Sequence, residues 1–516
     1  MSTSKCVTVK TVAFSGITTK EVFVQVNILN GLPSFCIVGL ADQTIAESKE
    51  RIRSTLETLG IALPPKRIIV NMAPANLYKK GSHYDLPILV GLLITLKILP
   101  SDLQDSHIFI GELSLNGDVN HVRGTLLTAI HAKINNMTLV CSTQSREEAQ
   151  CIEGLQITTI NNVLELKNHI TGIQTSISTS ITSKKKTHKI NKLDFKNIRG
   201  HTTAKRVMEI AAAGGHHLLM VGSPGVGKSM LAKHIPTILP PLSIEESLEV
   251  SMIYSVVNML SEDNLIQDPP FRDPHHTASI ASITGGGTNC QPGEMSLAHN
   301  GILFLDELTL WNIAVLNALR QPLESGEILV SRVNQQIQYP AAFQLIAAMN
   351  PCHCGCAYEE NNQCNRFPKC HVDYVNRIPG PILNRFGLIM PISPSHPWNQ
   401  HEESETSEEI LHRVIQARNQ QKNRFKDKQY KCNHQISSAD VETLLTNTTL
   451  QQCHQIAKAK NLSIRQYYNM IKVAQTIADL EISVIQERHI FEAASYIMHS
   501  AIVEIPTNKH INTTNI

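Results

Sequence analysis

Apolar positions recur along the chain with two different periods, and the places where the period changes divide it into regions. Val22, Val24, Val26 and Ile28 alternate with polar neighbours, the signature of a half-buried strand. Glu47 to Leu59 repeats at helical spacing, and Arg67 to Met72 (RIIVNM) reads as a short buried strand. Asn116-Gly117 interrupts the alternation between Leu113 and Val119, which predicts a hairpin. The longest apolar run, Leu86 to Leu96, falls short of the roughly 18 residues that span a bilayer and predicts a buried helix instead. Residues 1–170 therefore read as a mixed α/β domain.

Thr171 to Lys192 is rich in Ser, Thr and Lys and has almost no periodicity, so 171–191 reads as a flexible linker. Its lysines, Lys184 to Lys186, either contact phosphates or are simply solvated. Over residues 192–395 helical patterns alternate with short apolar strands, which predicts a parallel sheet. Residues 396–505 pass through an acidic stretch (His401 to Glu409) and a basic one (Arg418 to Lys431) and become helical beyond Ser437. Residues 506–516 read as a flexible tail.

The 516 residues allow two or three domains with separate cores. No apolar segment follows the charged N-terminus, so the expectation is a soluble, cytoplasmic protein with no membrane partner. A net charge of +2 leaves any nucleic-acid role to local basic segments. Twelve cysteines in such a compartment do not suggest a disulfide framework, and five of them crowd between Cys352 and Cys370.

Candidate chemistry begins where the strand His216 to Gly222 runs into Gly222-Ser223-Pro224-Gly225-Val226-Gly227-Lys228-Ser229, with an amphipathic helix after it. That is G-x-x-x-x-G-K-S in its required context. The glycines let backbone N–H groups turn around phosphate oxygens, and the helix adds its positive dipole end. Lys228 is expected on the β- and γ-phosphates of ATP and Ser229 on Mg²⁺. In Gly301 to Glu307 an apolar strand ends in two carboxylates: Asp306 for the Mg²⁺ shell and Glu307 as general base for water. Gln344 to Asn350 is another such strand, ending in an amide that can orient the water. Positive charge on the γ-phosphate would come from Arg385, acting from a neighbouring subunit, and Arg465, acting from the helical lid; for either arginine the alternative is a surface salt bridge.

At this point the chain resembles the ComM/YifB family of magnesium-chelatase-like AAA+ proteins. The resemblance runs through Phe271-Arg-Asp-Pro-His-His-Thr277, Gly285-Gly-Gly287, Pro292 to Asn300, Leu305-Asp-Glu-Leu308, Leu319-Arg-Gln-Pro-Leu-Glu324, Ser331-Arg332, Ala348 to Cys352 and Thr476 to Leu480. In the N-terminal region it includes Val38-Gly-Leu40, Val70 to Ala75, Lys80-Gly-Ser82 and Asp85-Leu-Pro87. It implies a Lon-protease-like N-terminal domain, an AAA+ P-loop core and a helical C-terminal lid. It also implies a homo-hexamer that encircles DNA and drives branch migration during natural transformation. Lys228, Ser229, Asp306, Glu307 and Asn350 keep the family's ATP-site positions, Arg385 the finger position and Arg465 the lid sensor position. Asn384 and Gly387 stand where the family has aspartates, Gln475 where an arginine is common, and Thr309-Leu-Trp311 replaces Pro-Glu-Phe. Losing two neighbouring carboxylates should change how Arg385 is held.

Closely packed thiolates and imidazoles suit structural Zn²⁺. The resemblance places family cysteines at Cys352, Cys354 and Cys364; the fourth falls at Arg366, which leaves Cys370 as the replacement, with Cys356 and His371 as alternatives. Buried cysteines without metal are the competing reading. Contact with DNA is expected at the glycine loop Gly285, Gly286 and Gly287, and at Arg332 in the hairpin pattern Ile328 to Tyr339. On spacing alone both segments could equally pack on a neighbouring subunit, and the resemblance favours DNA. Adjacent His275 and His276 are expected to diverge and to serve as hydrogen-bonding groups. The alternative function is a remodelling ATPase of a magnesium-chelatase-type complex. Proteolysis by the N-terminal domain is set aside, because Lys80-Gly-Ser82-His-Tyr-Asp85 lacks the form that would make Ser82 a nucleophile.

Overall fold

The computed structural model describes residues 6–170, 193–260, 265–287, 290–332, 335–353, 369–392, 405–426, 428 and 430–497. Its contacts separate two units: Met1–Thr187 with Ile244–Ile266, and His188–Ser243 with Gln267–Ile516. The linker and tail expected at 171–191 and 506–516 lie outside the described residues. The helix Ile244–Val256 interrupts the second unit in sequence yet belongs to the first by its contacts.

In the first unit seven strands form one mixed sheet: β1 (Val7–Ser15), β2 (Thr18–Leu29), β3 (Ser34–Val38), β4 (Arg67–Ala73), β5 (His107–Phe109), β6 (Thr138–Ser142) and β7 (Ile157–Ile160). The order is β3-β4-β2-β1-β5-β6-β7. The alternating valines of β2 are the reason it pairs with its apolar face inward: Val22, Val24 and Val26 are fully buried. The helix Asp85–Thr95 is apolar all round and lies in the core against β1 and β2. Gly91 lets it approach, since a Cβ there would stand 2.6 Å from Val26 Cγ2. The helix Gln43–Thr58 starts where Asp42 Oδ1 accepts from Ile45 N at 3.0 Å, and it buries Ile45, Ile52 and Leu56. Around Asn116-Gly117, Glu112–Leu113 pairs antiparallel with Val119–Asn120, the expected hairpin.

The second unit is built on a parallel sheet: β8 (Leu218–Gly222), β9 (Phe271–Arg272), β10 (Ile302–Leu305), β11 (Gln344–Met349) and β12 (Leu388–Ile392). The order is β9-β10-β11-β8-β12, so the strand leading into the glycine-rich turn sits inside the sheet. β8, β10 and β11 are buried along their whole length, as strands covered on both faces must be. The helix Thr202–Gly214 ends at Gly215, whose φ of 68° supplies the left-handed cap.

Two C-terminal helices, Ser407–Arg424 and Ile464–Leu480, pack on that helix. The first is opened by a capping box in which Thr406 N donates to Glu409 Oε2 at 2.8 Å. The second buries Met470, Ile471, Val473, Ala474 and Ile477; each of the larger side chains contributes about 1.5–3 kcal/mol of apolar burial. The fold is thus mixed α/β with a parallel-sheet core and a helical C-terminal region, as the sequence pattern predicts. Among the described residues no helix is long and apolar enough to cross a membrane.

Candidate functional site

In a parallel α/β sheet the loops at the carboxyl ends of the strands hold ligands. Here β8, β10 and β11 deliver their C-terminal residues to one place. Gly222 ends β8 under close constraint, since a Cβ there would lie 2.6 Å from Ile392 O on the neighbouring strand. Ser223, Pro224, Gly225, Val226 and Gly227 form the turn; Gly225 (φ 82°) and Gly227 (φ 90°) adopt conformations that favour glycine. Lys228 then opens the helix Lys228–His234.

Lys228 is buried, and its ammonium donates to Gly222 O at 2.7 Å, Ser223 O at 2.8 Å and Asn350 Oδ1 at 3.0 Å. Burial pushes its pKa down, while the carboxylates of Asp306 and Glu307 act in the opposite sense. Ser229 Oγ donates to Asp306 Oδ2 at 2.6 Å. Asp306 also accepts from Glu307 N at 2.8 Å, and Trp311 Nε1 donates to Asp306 O at 2.9 Å. Trp311 therefore pins the end of the carboxylate strand. Glu307 is held in the left-handed region (φ 50°, ψ 50°), which costs a non-glycine residue about 1–2 kcal/mol. Its Oε2 lies 3.6 Å from His276 Nδ1. Asp273, 3.9 Å from Lys233, has its carboxyl pushed up by burial against the pull of that lysine.

These residues fit a nucleoside triphosphate with a divalent cation. The lysine, the amide and a serine–carboxylate pair converge on a turn whose glycines leave room for phosphate oxygens. The hydroxyl and carboxylate at 2.6 Å are the oxygen donors a Mg²⁺ ion takes.

Arg385 and Arg465 stand elsewhere. Gly387 N and Leu388 N both donate to His217 O at 3.1 Å, so Arg385 precedes the start of β12, at the amino end of the sheet. The glycine-rich turn follows the other end of β8, roughly 15 Å away at about 3.3 Å per residue. Arg385 Nη2 donates to Glu324 Oε1, and Arg465 Nη2 lies 3.8 Å from the same oxygen. Glu324 is thus a carboxylate beside both arginines, and Asn384 and Gly387 put no carboxylate next to Arg385 in sequence. Burial lowers the pKa of Arg385, and Arg465 pushes the same way. Glu324, in Leu319-Arg-Gln-Pro-Leu-Glu324, stands 61 positions from Arg385, so no local sequence pattern marks it as that arginine's partner.

The two segments expected to meet DNA are packed together. Gly285 and Gly286 are not a free loop: they follow the helix Ile280–Thr284 and pair antiparallel with Gln291 and Pro292. Gly287, at φ 74°, makes the turn. Glu327–Arg332 pairs with Gln335–Pro340 as the expected hairpin, with Arg332 at its distal end. A Cβ on Gly285 would lie 3.1 Å from Val330 Cγ2, and Tyr339 Oη donates to Cys290 O at 2.9 Å. Arg272 binds Glu294 by two bonds, at 2.6 and 2.8 Å, which fixes the end of the ribbon.

His275 and His276 do not diverge, because they sit in a turn rather than a strand; their rings are 4.2 Å apart. His275 Nδ1 does bond Thr277 Oγ1, at 2.8 Å. Of the zinc candidates, Cys352 is buried and Cys370 partly so, in segments joined by a hydrogen bond between His371 Nδ1 and Pro351 O. Cys354, Cys356 and Cys364 lie outside the described residues. Among the described residues no group of three or more potential ligands could hold a metal ion.

Comparison with known proteins places three family descriptions along the chain. "Magnesium chelatase, subunit ChlI" matches residues 194–401, "Subunit ChlI of Mg-chelatase" matches 24–145, and "Magnesium chelatase, subunit ChlI C-terminal" matches 404–497. The YifB protein of Salmonella typhimurium is 39% identical over 500 residues, 95% of this chain and 96% of its own length. Competence protein ComM of Haemophilus influenzae is 37% identical over 494 residues, 94% of this chain and 96% of its own. The magnesium-chelatase 38 kDa subunit of Cereibacter sphaeroides is 26% identical over 174 residues, 30% of this chain and 52% of its own.

Proposed function

This chain belongs to the ComM/YifB-like magnesium-chelatase-type family, and we propose that it is an ATP hydrolase working as a homo-hexameric DNA motor. Its task in this reading is helicase or branch-migration work during recombination of incoming DNA in natural transformation. The name of the Haemophilus relative supports that setting.

The observation that carries the reading is the separation of the two halves of the catalytic machinery. Lys228, Ser229, Asp306, Glu307 and Asn350 occupy the carboxyl end of the sheet, and Arg385 with Arg465 the amino end. A γ-phosphate held by Lys228 needs arginine charge, and Arg385 and Arg465 of the same subunit stand at the other end of the sheet. A second copy supplies that charge if subunits associate head to tail, and such association closes into a ring where the rotation between neighbours is a whole fraction of a turn, as the proposed hexamer requires.

Within the site Lys228 binds the β- and γ-phosphates, and Asn350 orients the attacking water. Glu307 takes the proton from that water as its oxygen bonds to the γ-phosphorus and the bond to the bridging oxygen of ADP breaks. Bound Mg²⁺, held by Ser229 and Asp306, supplies charge neutralisation of the phosphate oxygens. Arg385 and Arg465 stabilise the charge that spreads over the transferred group. The ribbon at Gly285–Gly286 and the hairpin ending at Arg332 form one unit for tracking a phosphate backbone without reading bases. In this reading Cys352, Cys354, Cys364 and Cys370 hold a structural zinc ion.

The test is a labelled four-way junction incubated with the full chain, with ATP, and with a Glu307→Gln variant as blank. ATP-dependent conversion of the junction, lost in the variant, supports the motor. ATP turnover stimulated only by a protein partner would favour a remodelling ATPase of a magnesium-chelatase-type complex.

A further inference from the structure

We propose that Glu324 is a positioning residue that couples the Arg385–Arg465 pair to the hairpin Glu327–Pro340, so that the neighbour's nucleotide state sets the grip on DNA. The proposal rests on the motor reading above. It starts from an imbalance of charge. Arg465 and Arg320 both repel the Arg385 guanidinium, and Glu324 is a carboxylate that meets both Arg385 and Arg465.

The Arg385 side chain is only 9% exposed, whereas that of Glu324 is 59% exposed. The Nε of Arg385 is buried with no acceptor. A desolvated guanidinium with an unused donor and a surplus of positive charge around it suits an acceptor with more oxygens and more charge than one carboxylate. A terminal phosphate has both. Glu324 and the γ-phosphate of an adjoining subunit are then alternative partners for the same arginines. When the phosphate arrives, Glu324 is released; when ADP remains, Glu324 takes the arginines back.

Release matters because of where Glu324 sits. It lies in the one-turn helix Pro322–Ser325, which Gly326 (φ 72°) ends directly before the strand Glu327–Arg332. The joint is tied: Gly326 N donates to Pro322 O at 2.9 Å, and Ala341 N donates to Gly326 O at 2.7 Å. A shift of the helix is therefore passed to both strands of the hairpin. The hairpin in turn carries the glycine ribbon through the Val330 and Tyr339 contacts. One carboxylate with two possible partners supplies the bistable element that such coupling requires.

The experiment measures DNA dissociation constants of the full chain by fluorescence anisotropy, in ADP and in a non-hydrolysable ATP analogue. Wild type, Glu324→Gln and Glu324→Asp are compared, and the affinity for nucleotide is measured beside them. Wild type is expected to bind DNA about tenfold differently in the two nucleotides. Glu324→Gln should bring that ratio close to one with nucleotide affinity retained, and Glu324→Asp should restore part of it. A wild-type ratio in Glu324→Gln, or loss of nucleotide binding in both variants, overturns the role of Glu324 while leaving the motor reading in place. A wild-type protein that binds no DNA in either nucleotide overturns the motor reading itself, and this proposal with it.

Discussion

Ser229 Oγ and Asp306 Oδ2, 77 positions apart in sequence, meet at 2.6 Å. One belongs to the first turn of the helix after the glycine-rich turn, the other to the end of a central strand. Their meeting shows that two separate apolar strands were registered to bring a hydroxyl and a carboxylate to one point. Beside them Lys228 is tied to Asn350, so three strand ends act as one site.

The lysine comes first. Lys228 makes three hydrogen bonds to oxygen in a buried setting, and phosphate oxygens are expected to replace some of them. Losing a charge-assisted contact of this kind costs about 1.5–3 kcal/mol, roughly 10- to 100-fold in affinity. Lys228→Ala should weaken ATP binding by that factor in calorimetry, and Glu307→Gln should bind ATP normally.

Asn350 should separate binding from turnover. Its amide oxygen accepts from Lys228 at 3.0 Å, which leaves the amide N–H₂ for water or phosphate. Asn350→Ala is expected to lower kcat at least about tenfold with a smaller change in KM, the pattern of an interaction made mainly in the transition state. Equal loss in both would mean that Asn350 serves only to hold Lys228.

Mixing subunits tests the division of labour between them. Arg385→Ala and Glu307→Gln are each expected to be inactive alone. In a one-to-one mixture, roughly a quarter of the junctions join an intact base to an intact arginine. The mixed assembly should therefore recover up to about a quarter of the wild-type rate; no recovery would contradict action across subunits.

A cluster of histidines predicts the response to acid. His216 and His217 are buried, and half-buried His434 packs on them, with ring centroids 4.3 Å apart for His217 and His434. Burial lowers the first two to a pKa of about 3, and holds His434 well below the usual histidine value. Lys472 and Arg418 add to the effect on His216 and His434. In the unfolded chain these rings titrate near 6.5, so below that pH the unfolded state binds protons that the folded state refuses. Stability is then full above about pH 6.5 and falls as pH drops toward about 3, by up to about 1.4 kcal/mol per pH unit for each histidine. Urea midpoints between about pH 7.5 and pH 5 should show this slope, and His434→Gln should reduce it.

The strands of the site were legible in the sequence because a parallel strand covered on both faces must be apolar throughout. Leu218 to Val221, Ile302 to Leu305 and Leu345 to Met349 are such runs, each leading into residues proposed to bind phosphate or water. The hairpin Ile328 to Tyr339 was legible from its alternation. What could not be read is what depends on a partner distant in sequence. Arg385 and Arg465 both meet Glu324, from positions 61 apart for the first pair, and nothing local to either arginine says so. The same holds for Glu307 beside His276, and for Ile244–Val256, whose apolar side does not tell which core it joins. Gly285-Gly286 suggested an open loop because glycine permits one, yet the close approach to Gln291 O and Val330 is what requires it.

The most direct test of the central claim is the steady-state ATPase rate of the full chain with no DNA, single-stranded DNA, duplex DNA and a four-way junction, with Glu307→Gln as blank. The account predicts strong stimulation by DNA that disappears in the variant. A rate that is the same with every DNA would contradict it.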